Sequence, residues 1–295
     1  MNRSTLVGGV RRLFGGGAIA LMAIGVFGGS QALAAGIADT KHNLGTTGTG
    51  ANHQASGGGG TAEICVFCHT PHGSDTSAAV PLWNRKMASP STYTTYNSLG
   101  TSSLDGATAP VGSVSLACLS CHDGAQAMNV MINQPGSGGY VAAGSALAGT
   151  WAGVNTIPDG ITKLGVDLKN DHPVGIQYGG GMSAGPATAY TTGAIADGAL
   201  KDIDFKGLSY QSLNNQPVWW VETGGAGRQK TDMMLYTRTG SDSVNPDGTV
   251  NTAALTGAQA FVECASCHDP HTAANPTFLR ISNAGSAVCL SCHIK

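Results

Sequence analysis

The 295-residue sequence is short of charge, of aromatic side chains and of branched apolar side chains. Charged residues make up 11% of the chain and aromatic residues 6%, while Leu, Ile, Val and Phe together number 56. So few apolar side chains would predict disorder, but disordered chains also carry a high net charge, and here the net charge is only −2. We therefore expect that something other than side chains fills much of the core.

The same scarcities exclude two classes of protein. No run of Lys or Arg follows the first 34 residues, so the phosphates of a nucleic acid would not be neutralised and we expect no nucleic-acid partner. Beyond residue 34 no apolar stretch approaches the roughly 20 residues that cross a bilayer, so we expect no membrane span.

The N-terminus has the pattern of an export signal. Arg3, Arg11 and Arg12 form a positively charged start, residues 13–29 form a short apolar segment, and the Ala-Leu-Ala sequence at 32–34 offers a small-residue cleavage site. We predict a signal peptide over residues 1–34. The alternative is an uncleaved membrane anchor, which the short, glycine-rich apolar segment disfavours.

All eight cysteines fall in four copies of one pattern, CxxCH. The copies are CVFCH at 65–69, CLSCH at 118–122, CASCH at 264–268 and CLSCH at 289–293. Random placement of this many Cys and His residues gives on the order of 0.01 copies of the motif that attaches c-type haem. The pattern therefore has a chemical cause.

The spacing suits covalent attachment of a porphyrin. Two thiols three positions apart lie on one side of a helical turn, where they form thioethers with two vinyl groups, and the adjacent His ligates the iron. A disulfide framework would not require a His after every second Cys, and zinc sites seldom place one there in all copies. We predict four covalently bound c-type haems. Their anchors are Cys65, Cys68, Cys118, Cys121, Cys264, Cys267, Cys289 and Cys292, and their proximal ligands are His69, His122, His268 and His293.

Four large, flat, apolar haems would replace the missing core, with 44 glycines allowing the backbone to approach them closely. The predicted fold is that of a multihaem cytochrome c: mostly irregular, with short helical turns and a few β-strands wrapped around the haems. We expect one domain over 35–295, consisting of a haem pair at 65–122, a Cys-free insert at 123–263 and a haem pair at 264–293.

Each iron needs a second ligand or remains open, and five histidines are left for four irons: His42, His53, His72, His172 and His271. His72 and His271 each follow a motif in the extended pattern CHxPH. Two His residues three positions apart project from the same side of a turn, so they cannot occupy opposite faces of one iron. We therefore expect His72 and His271 to ligate a haem other than that of their own motif, unless they are surface residues beside a proline turn.

The other three histidines lie in loops. His172 has Asp171 beside it as a candidate hydrogen-bond partner. His42 precedes, and His53 lies within, a Gly- and Thr-rich segment at 45–60 that we expect to be flexible. One of these two is a candidate ligand for a haem of its own chain, and the other is surplus, either solvated or ligating a haem of a neighbouring subunit. Methionine is the rival ligand, although it is more often a filler of core gaps. The candidates are Met87, Met128, Met131, Met182, Met233 and Met234.

The two haem pairs look like a degenerate duplication. Each opens with CHxPH, closes with CLSCH, and contains a similar fragment between its motifs, PLWNR at 81–85 and PTFLR at 276–280. The arginine of each fragment is a candidate partner for a haem propionate, with a solvated surface arginine as the equal alternative. In the insert, the stretch PVWWV at 217–221 predicts a strand and NPDG at 245–248 predicts a turn.

Several segments resemble one family. They are CVFCHTPHG at 65–73, CASCHDPH at 264–271, the two CLSCH motifs, KHNL at 41–44 and DHP at 171–173. Together they are similar to the doubled-CxxCH multihaem cytochromes and, more narrowly, to tetrahaem extracellular cytochrome nanowires. The resemblance implies bis-His haems and extracellular electron transfer through a homopolymer, with His42 or His53 donated across the subunit interface. It also implies redox partners such as periplasmic or outer-membrane cytochromes, and an extracellular acceptor such as a metal oxide.

Two other functions remain open from the sequence. One is a discrete periplasmic tetrahaem carrier that does not polymerise. The other is a multihaem reductase with one open iron, which the presence of five candidate ligands for four irons disfavours. We therefore expect no enzymatic activity, and secretion to the cell exterior or cell surface, with the periplasm as the alternative location.

Overall fold

The computed structural model describes residues 36–101, 104–171, 174–181, 193–214, 216–225, 227–239 and 258–294. These residues belong to one compact unit, Ala34–Lys295. The predicted signal peptide at 1–34, His172, Met182 and the turn predicted at 245–248 lie outside the described residues. In the described part, no helix is long and apolar enough to cross a membrane.

Most of the described chain is irregular, and its helices are short. The α-helices are α1 (Ser113–His122), α2 (Cys264–Cys267) and α3 (Ala287–Leu290). The 3-10 turns are Ile37–Asp39, Cys65–Phe67, Pro90–Thr92, Tyr96–Leu99, Pro135–Ser137, Tyr178–Gly180, Pro276–Phe278 and Ala284–Ser286. All four CxxCH motifs therefore lie on or beside a helical turn, as the sequence predicts.

The described residues also contain ten strands. They are β1 (His53–Gln54), β2 (Val130–Asn133), β3 (Tyr140–Ala146), β4 (Trp151–Ala152), β5 (Ile176–Gln177), β6 (Gly193–Ile195), β7 (Leu208–Leu213), β8 (Gln216–Val221), β9 (Met233–Arg238) and β10 (Gln259–Val262). Strands β1 and β4 form one pair, and β2 and β3 form another. The remaining six form one antiparallel sheet in the order β5-β10-β9-β8-β7-β6.

The six-stranded sheet lies within the Cys-free insert and is larger than the few strands that we predicted there. The predicted strand at 217–221 is part of β8, where Trp219 is buried and pairs with Leu235 of β9. Strand β10 ends at Val262, two residues before Cys264. The sheet therefore fixes where the third motif begins.

Apolar clusters join the sheet and loops to the motifs. On the sheet, Trp219 and Met233 pack in a cluster that Cys267 and Cys292 border. A second cluster, containing Met131, is bordered by Cys68 and Cys121. Three of the other candidate methionines lie in these clusters or in the one around helix α1, namely Met87, Met128 and Met233. Their positions favour core filling over iron ligation.

The Gly- and Thr-rich segment at 45–60 is not an extended flexible arm, so that expectation was wrong. Gln54 in β1 is fully buried, and its side chain donates to Ala148 O at 2.8 Å and accepts from Thr61 N at 2.7 Å. His53 pairs with Ala152 across the β1–β4 ladder. One buried amide that satisfies two main-chain groups thus anchors a segment whose composition alone predicts flexibility.

Candidate haem-binding sites

We number the haem sites 1 to 4 after the motifs in chain order: site 1 is residues 65–69, site 2 is 118–122, site 3 is 264–268 and site 4 is 289–293. Neighbouring sites meet through their cysteines. Cys68 of site 1 lies beside Cys121 of site 2, and Cys118 of site 2 lies beside Cys264 of site 3. Cys267 of site 3 interacts with both cysteines of site 4. The four sites therefore follow one another in space as they do in the chain.

The inner cysteines are partly buried, whereas Cys65 and Cys289 are exposed. Burial raises the pKa of Cys68 and of Cys292 to about 12, with a neighbouring cysteine of the adjacent site adding to the effect. Once haem is attached these sulfurs are thioethers and hold no proton, so the shifts report burial and proximity. The two exposed anchors lie at opposite ends of the series, in site 1 and site 4.

Most histidines of the sites have their ring orientation fixed by the main chain. A carbonyl oxygen only accepts, so a ring whose Nδ1 lies against one carries its proton there and leaves Nε2 free to ligate a metal. The pairs are His42 Nδ1 with Pro270 O at 3.2 Å, His53 with Gly50 O at 2.8 Å, His69 with Pro81 O at 2.8 Å, His122 with Thr162 O at 2.8 Å and His268 with Thr277 O at 2.7 Å.

Two pairs of histidines lie at the separation expected of ligands on opposite faces of one metal ion. The ring centroids of His69 and His271 are 6.4 Å apart, and those of His122 and His42 are 6.2 Å apart. Two metal–nitrogen bonds of about 2 Å each, with roughly 1 Å more from each nitrogen to its ring centre, give a centroid separation of about 6 Å. The geometry thus fits His271 as the distal ligand of site 1 and His42 as that of site 2.

The third motif's extension organises both pairs. His271 belongs to it, and its Nδ1 lies 3.2 Å from the carboxylate of Asp269. Pro270, also within it, provides the carbonyl that orients His42, and the ring of His42 stacks on Phe278 at 4.4 Å. Burial lowers the pKa of His42 more strongly than the bond to Pro270 raises it. His42 is therefore held as the neutral imidazole, the form that ligates iron.

The remaining candidate ligands are not brought together in the same way. His72 is exposed, and its main-chain carbonyl accepts from Asn133 at 2.7 Å. His293 contacts Phe205, with ring centroids 4.3 Å apart. His53 has its Nδ1 fixed at Gly50, and His172 lies outside the described residues. The distal ligands of sites 3 and 4 stay predictions, to be drawn from His53, His72 and His172.

The duplication seen in the sequence is also present in the main chain. In the first unit, His69 Nδ1 donates to Pro81 O, and Thr70 N donates to Leu82 O at 2.8 Å. In the second unit, the equivalent bonds run from His268 to Thr277 O and from Asp269 N to Phe278 O, also at 2.8 Å. Each motif is therefore closed by the same hydrogen-bonded return of the chain.

The structural register of that return differs by one residue from the register read from the sequence. Asn84 N donates to Cys68 O at 2.8 Å, and Arg280 N donates to Cys267 O at 2.9 Å. Arg280 therefore corresponds to Asn84, and Arg85 has no counterpart in the second unit. Matching the two arginines by sequence was wrong, because the carbonyls that accept the histidine bonds, Pro81 O and Thr277 O, are one residue apart when the fragments are aligned on their prolines.

The side chains repeat the same correspondence. The amide Nδ2 of Asn84 donates to Val66 O at 2.7 Å, and the guanidinium Nε of Arg280 donates to Ala265 O at 3.1 Å. Both acceptors are the residue after the first cysteine of the motif. Of the two alternatives for these arginines, the solvated one does not apply to Arg85, which is fully buried. Arg280 is partly exposed and donates to a main-chain carbonyl of its own motif, so pairing with a propionate stays a prediction for both.

Sites 2 and 3 are joined by a buried polar network that no sequence motif predicts. Glu263 accepts from Arg238 at 2.7 and 3.0 Å and from the hydroxyl of Ser115 at 2.5 Å. The same hydroxyl accepts from Cys264 N at 3.0 Å. Glu263 also caps helix α2 through a reciprocal pair of bonds with Ser266. The network fixes helix α1, strand β9 and helix α2 around the contact between Cys118 and Cys264.

The residues around the motifs fit covalent haem. All eight cysteines are free thiols, and within the described ranges no three Cys, His, Asp or Glu side chains converge as a metal-ion cluster. Buried indole nitrogens of Trp83, Trp151 and Trp220 lack any hydrogen-bond partner among the described residues. Trp83 lies beside His69, with ring centroids 5.7 Å apart. An unpaired buried donor next to a proximal histidine is compatible with a further group at site 1 that the chain itself does not supply.

A comparison with protein families gives one match: residues 258–295 match the doubled CXXCH motif. No curated protein matches the sequence. The matched segment contains sites 3 and 4, and sites 1 and 2 carry the same cysteine and histidine pattern. The CXXCH motifs imply covalently bound c-type haem, and with it a c-type cytochrome whose activity is electron transfer.

Proposed function

We propose that the chain is a tetrahaem, bis-histidine cytochrome that conducts electrons outside the cytoplasm as one unit of a filament. The observation that carries this proposal is the order of the four sites, which follow one another without a gap. Haem iron accepts and releases single electrons, and closely spaced haems pass them on. A series with exposed anchors at both ends, Cys65 and Cys289, suits entry of electrons at one end and exit at the other.

The supply of ligands supports transfer rather than catalysis. His271 and His42 stand where they would close the irons of sites 1 and 2, and His53, His72 and His172 remain for two further irons. With every iron six-coordinate, no position is open to a substrate. The competing function, a reductase with one open iron, predicts a haem that binds carbon monoxide, and an unchanged spectrum under carbon monoxide excludes it.

The spare histidine supports assembly into a homopolymer. Because His42 packs within its own chain at site 2, His53 is the stronger candidate for donation to a neighbouring subunit. Its Nδ1 is held by Gly50 O, as the Nδ1 of the proximal histidines His69, His122 and His268 is held by carbonyls, so its Nε2 is ready to ligate. The signal-like N-terminus supports export, and the expected electron acceptors are cytochromes or an extracellular metal oxide.

Electron microscopy of the secreted, haem-loaded protein tests this proposal. We expect filaments with a continuous haem series, and we expect His53→Ala to abolish them while haem content per chain is unchanged. Lys41→Ala is the matched control, since Lys41 is an exposed side chain in the same N-terminal region. Monodisperse wild-type particles with all irons closed within one chain would instead establish a discrete carrier and overturn polymerisation.

A further inference from the structure

Arg85 is a fully buried cation with no counter-ion among the residues that the structure describes. Its guanidinium donates to three main-chain carbonyls, those of Met128 and Val130 at 3.0 Å and that of Ala127 at 2.8 Å. Its relative exposure is 0%, its Nε has no hydrogen-bond partner, and no described carboxylate lies within ion-pair distance of it. A guanidinium does not lose its proton in proteins, so the charge persists at every working pH.

The other buried arginine shows that this arrangement is specific to Arg85. Arg238 is also nearly inaccessible, but Glu263 neutralises it through two hydrogen bonds. Carbonyl dipoles solvate the charge of Arg85 but leave its field largely uncompensated. Inside a protein that field is screened much less than at the surface.

The charge lies between site 1 and site 2. Asn84, the residue before Arg85, donates its main-chain N to Cys68 O at 2.8 Å and its side-chain Nδ2 to Val66 O at 2.7 Å, so Arg85 directly follows a residue bonded twice to site 1. The carbonyls that hold it follow directly on the second motif. Arg280, the arginine of the second unit, stands near Cys267 but is only partly buried, and the backbone carbonyls that it binds include the carbonyl of Lys230.

We propose that Arg85 raises the reduction potential of the haem at site 1, so that this haem is the electron sink of the first pair. Reduction of ferric to ferrous iron adds one electron and no proton, and a fixed positive charge nearby stabilises the reduced state. Arg85 itself gains and loses nothing in the step. The proposal rests on the proposed electron-transfer function, and it adds a direction to the flow within the series.

The test is a potentiometric titration of the haem-loaded protein followed by electron paramagnetic resonance. The ring planes of His69 and His271 are 17° apart, and those of His122 and His42 are 75° apart. The angle between the axial imidazole planes sets the anisotropy of a low-spin ferric haem, so sites 1 and 2 give distinguishable signals. Loss of one signal in His271→Ala identifies site 1.

We expect Arg85→Gln to lower the reduced-to-oxidised ratio of site 1 on the order of tenfold at the wild-type midpoint potential, about 59 mV for a one-electron couple. Arg280→Gln is the matched control, and its change at site 3 is expected to stay below about threefold because solvent screens that charge. An unchanged site 1 midpoint in Arg85→Gln overturns the proposal. If all four haems are absent or redox-inactive, the proposed function fails instead.

Arg85→Lys covers the case in which Arg85→Gln does not bind haem. A buried lysine loses its proton more readily than arginine, so the introduced charge disappears as pH rises. We expect the site 1 midpoint of Arg85→Lys to fall with rising pH more steeply than that of the wild type. Equal pH dependence of the two proteins contradicts a role for the charge.

Discussion

The two CHxPH units, Cys65–Arg85 and Cys264–Arg280, close their motifs with the same main-chain hydrogen bonds but stabilise them differently. The residue before Cys264 is Glu263, which caps helix α2, whereas the residue before Cys65 is Ile64 and the first motif forms only a 3-10 turn. The two motifs thus share one helical turn and one carbonyl that accepts from the histidine ring. The residues that flank these shared features differ between the units.

The units also differ in the residue that supports the returning strand. In the first unit Asn84 is fully buried, donating to Val66 O and Asn133 O and accepting from Asn133 N at 2.8 Å. In the second unit Arg280 holds the same position and reaches the surface. A duplicated backbone thus accommodates a satisfied amide in one copy and a half-exposed cation in the other, with different electrostatic surroundings for the two haems.

The largest expected effect comes from replacing, one at a time, the histidine that ends each CHxPH extension. We expect His271→Ala to convert one low-spin haem of the four to a high-spin haem that binds carbon monoxide, because it removes the ring facing His69. His72→Ala is the matched change in the first unit, and it should leave the signal of site 1 intact. Optical spectra and electron paramagnetic resonance, with and without carbon monoxide, measure both.

If His72→Ala rather than His271→Ala opens site 1, each extension ligates within its own half of the chain. The two units would then be equivalent in their ligation, and the extension of the third motif would supply no ligand to the haem of site 1.

The next effect concerns the cap that only the second unit has. Glu263→Gln is expected to destabilise the haem-loaded protein by about 3 kcal/mol, since it leaves Arg238 as an uncompensated buried charge. Glu222→Gln is the matched control, because Glu222 is exposed and accepts only from Ser209. Urea unfolding monitored by absorbance should show a change below about 0.5 kcal/mol for that control. Equal losses for both variants would contradict the network.

The smallest effect separates the two supporting side chains. Asn84→Ala leaves three main-chain hydrogen-bond partners unsatisfied in a buried position and is expected to cost about 2–3 kcal/mol. Arg280→Ala should cost about 1 kcal/mol, because water replaces part of what the guanidinium provided. The same unfolding experiment measures both. A larger loss of unfolding free energy for Arg280→Ala than for Asn84→Ala would contradict this ranking of the two side chains.

The sequence predicted those parts of the fold that local rules determine. Helical turns at the motifs and the strand containing Trp219 and Trp220 follow from spacing and β-propensity. The full sheet was not predictable, because β10 inserts between β5 and β9, a pairing across the whole insert that no local pattern encodes. Residues 45–60 were misread because composition does not register a single buried side chain such as Gln54.

The candidate sites divide in the same way. The eight cysteines and the four proximal histidines can be identified from the CxxCH motifs. The histidines that face His69 and His122 depend on contacts between distant segments of the chain. The spacing rule excluded the haem of its own motif as the partner of His271, but it did not identify which of the other three haems His271 would ligate. The sequence aligns Arg85 with Arg280, but the main-chain hydrogen bonds show that Arg280 corresponds to Asn84.

The contact between Cys118 and Cys264 constrains the order of events during biosynthesis. These cysteines lie on opposite sides of the sheet-forming insert in the chain, yet the fold places them side by side. A chain that folded before modification in an oxidising compartment would hold two anchors of different haems ready to cross-link, at the expense of both attachments. We therefore expect haem attachment at the second and third motifs to precede folding of the insert.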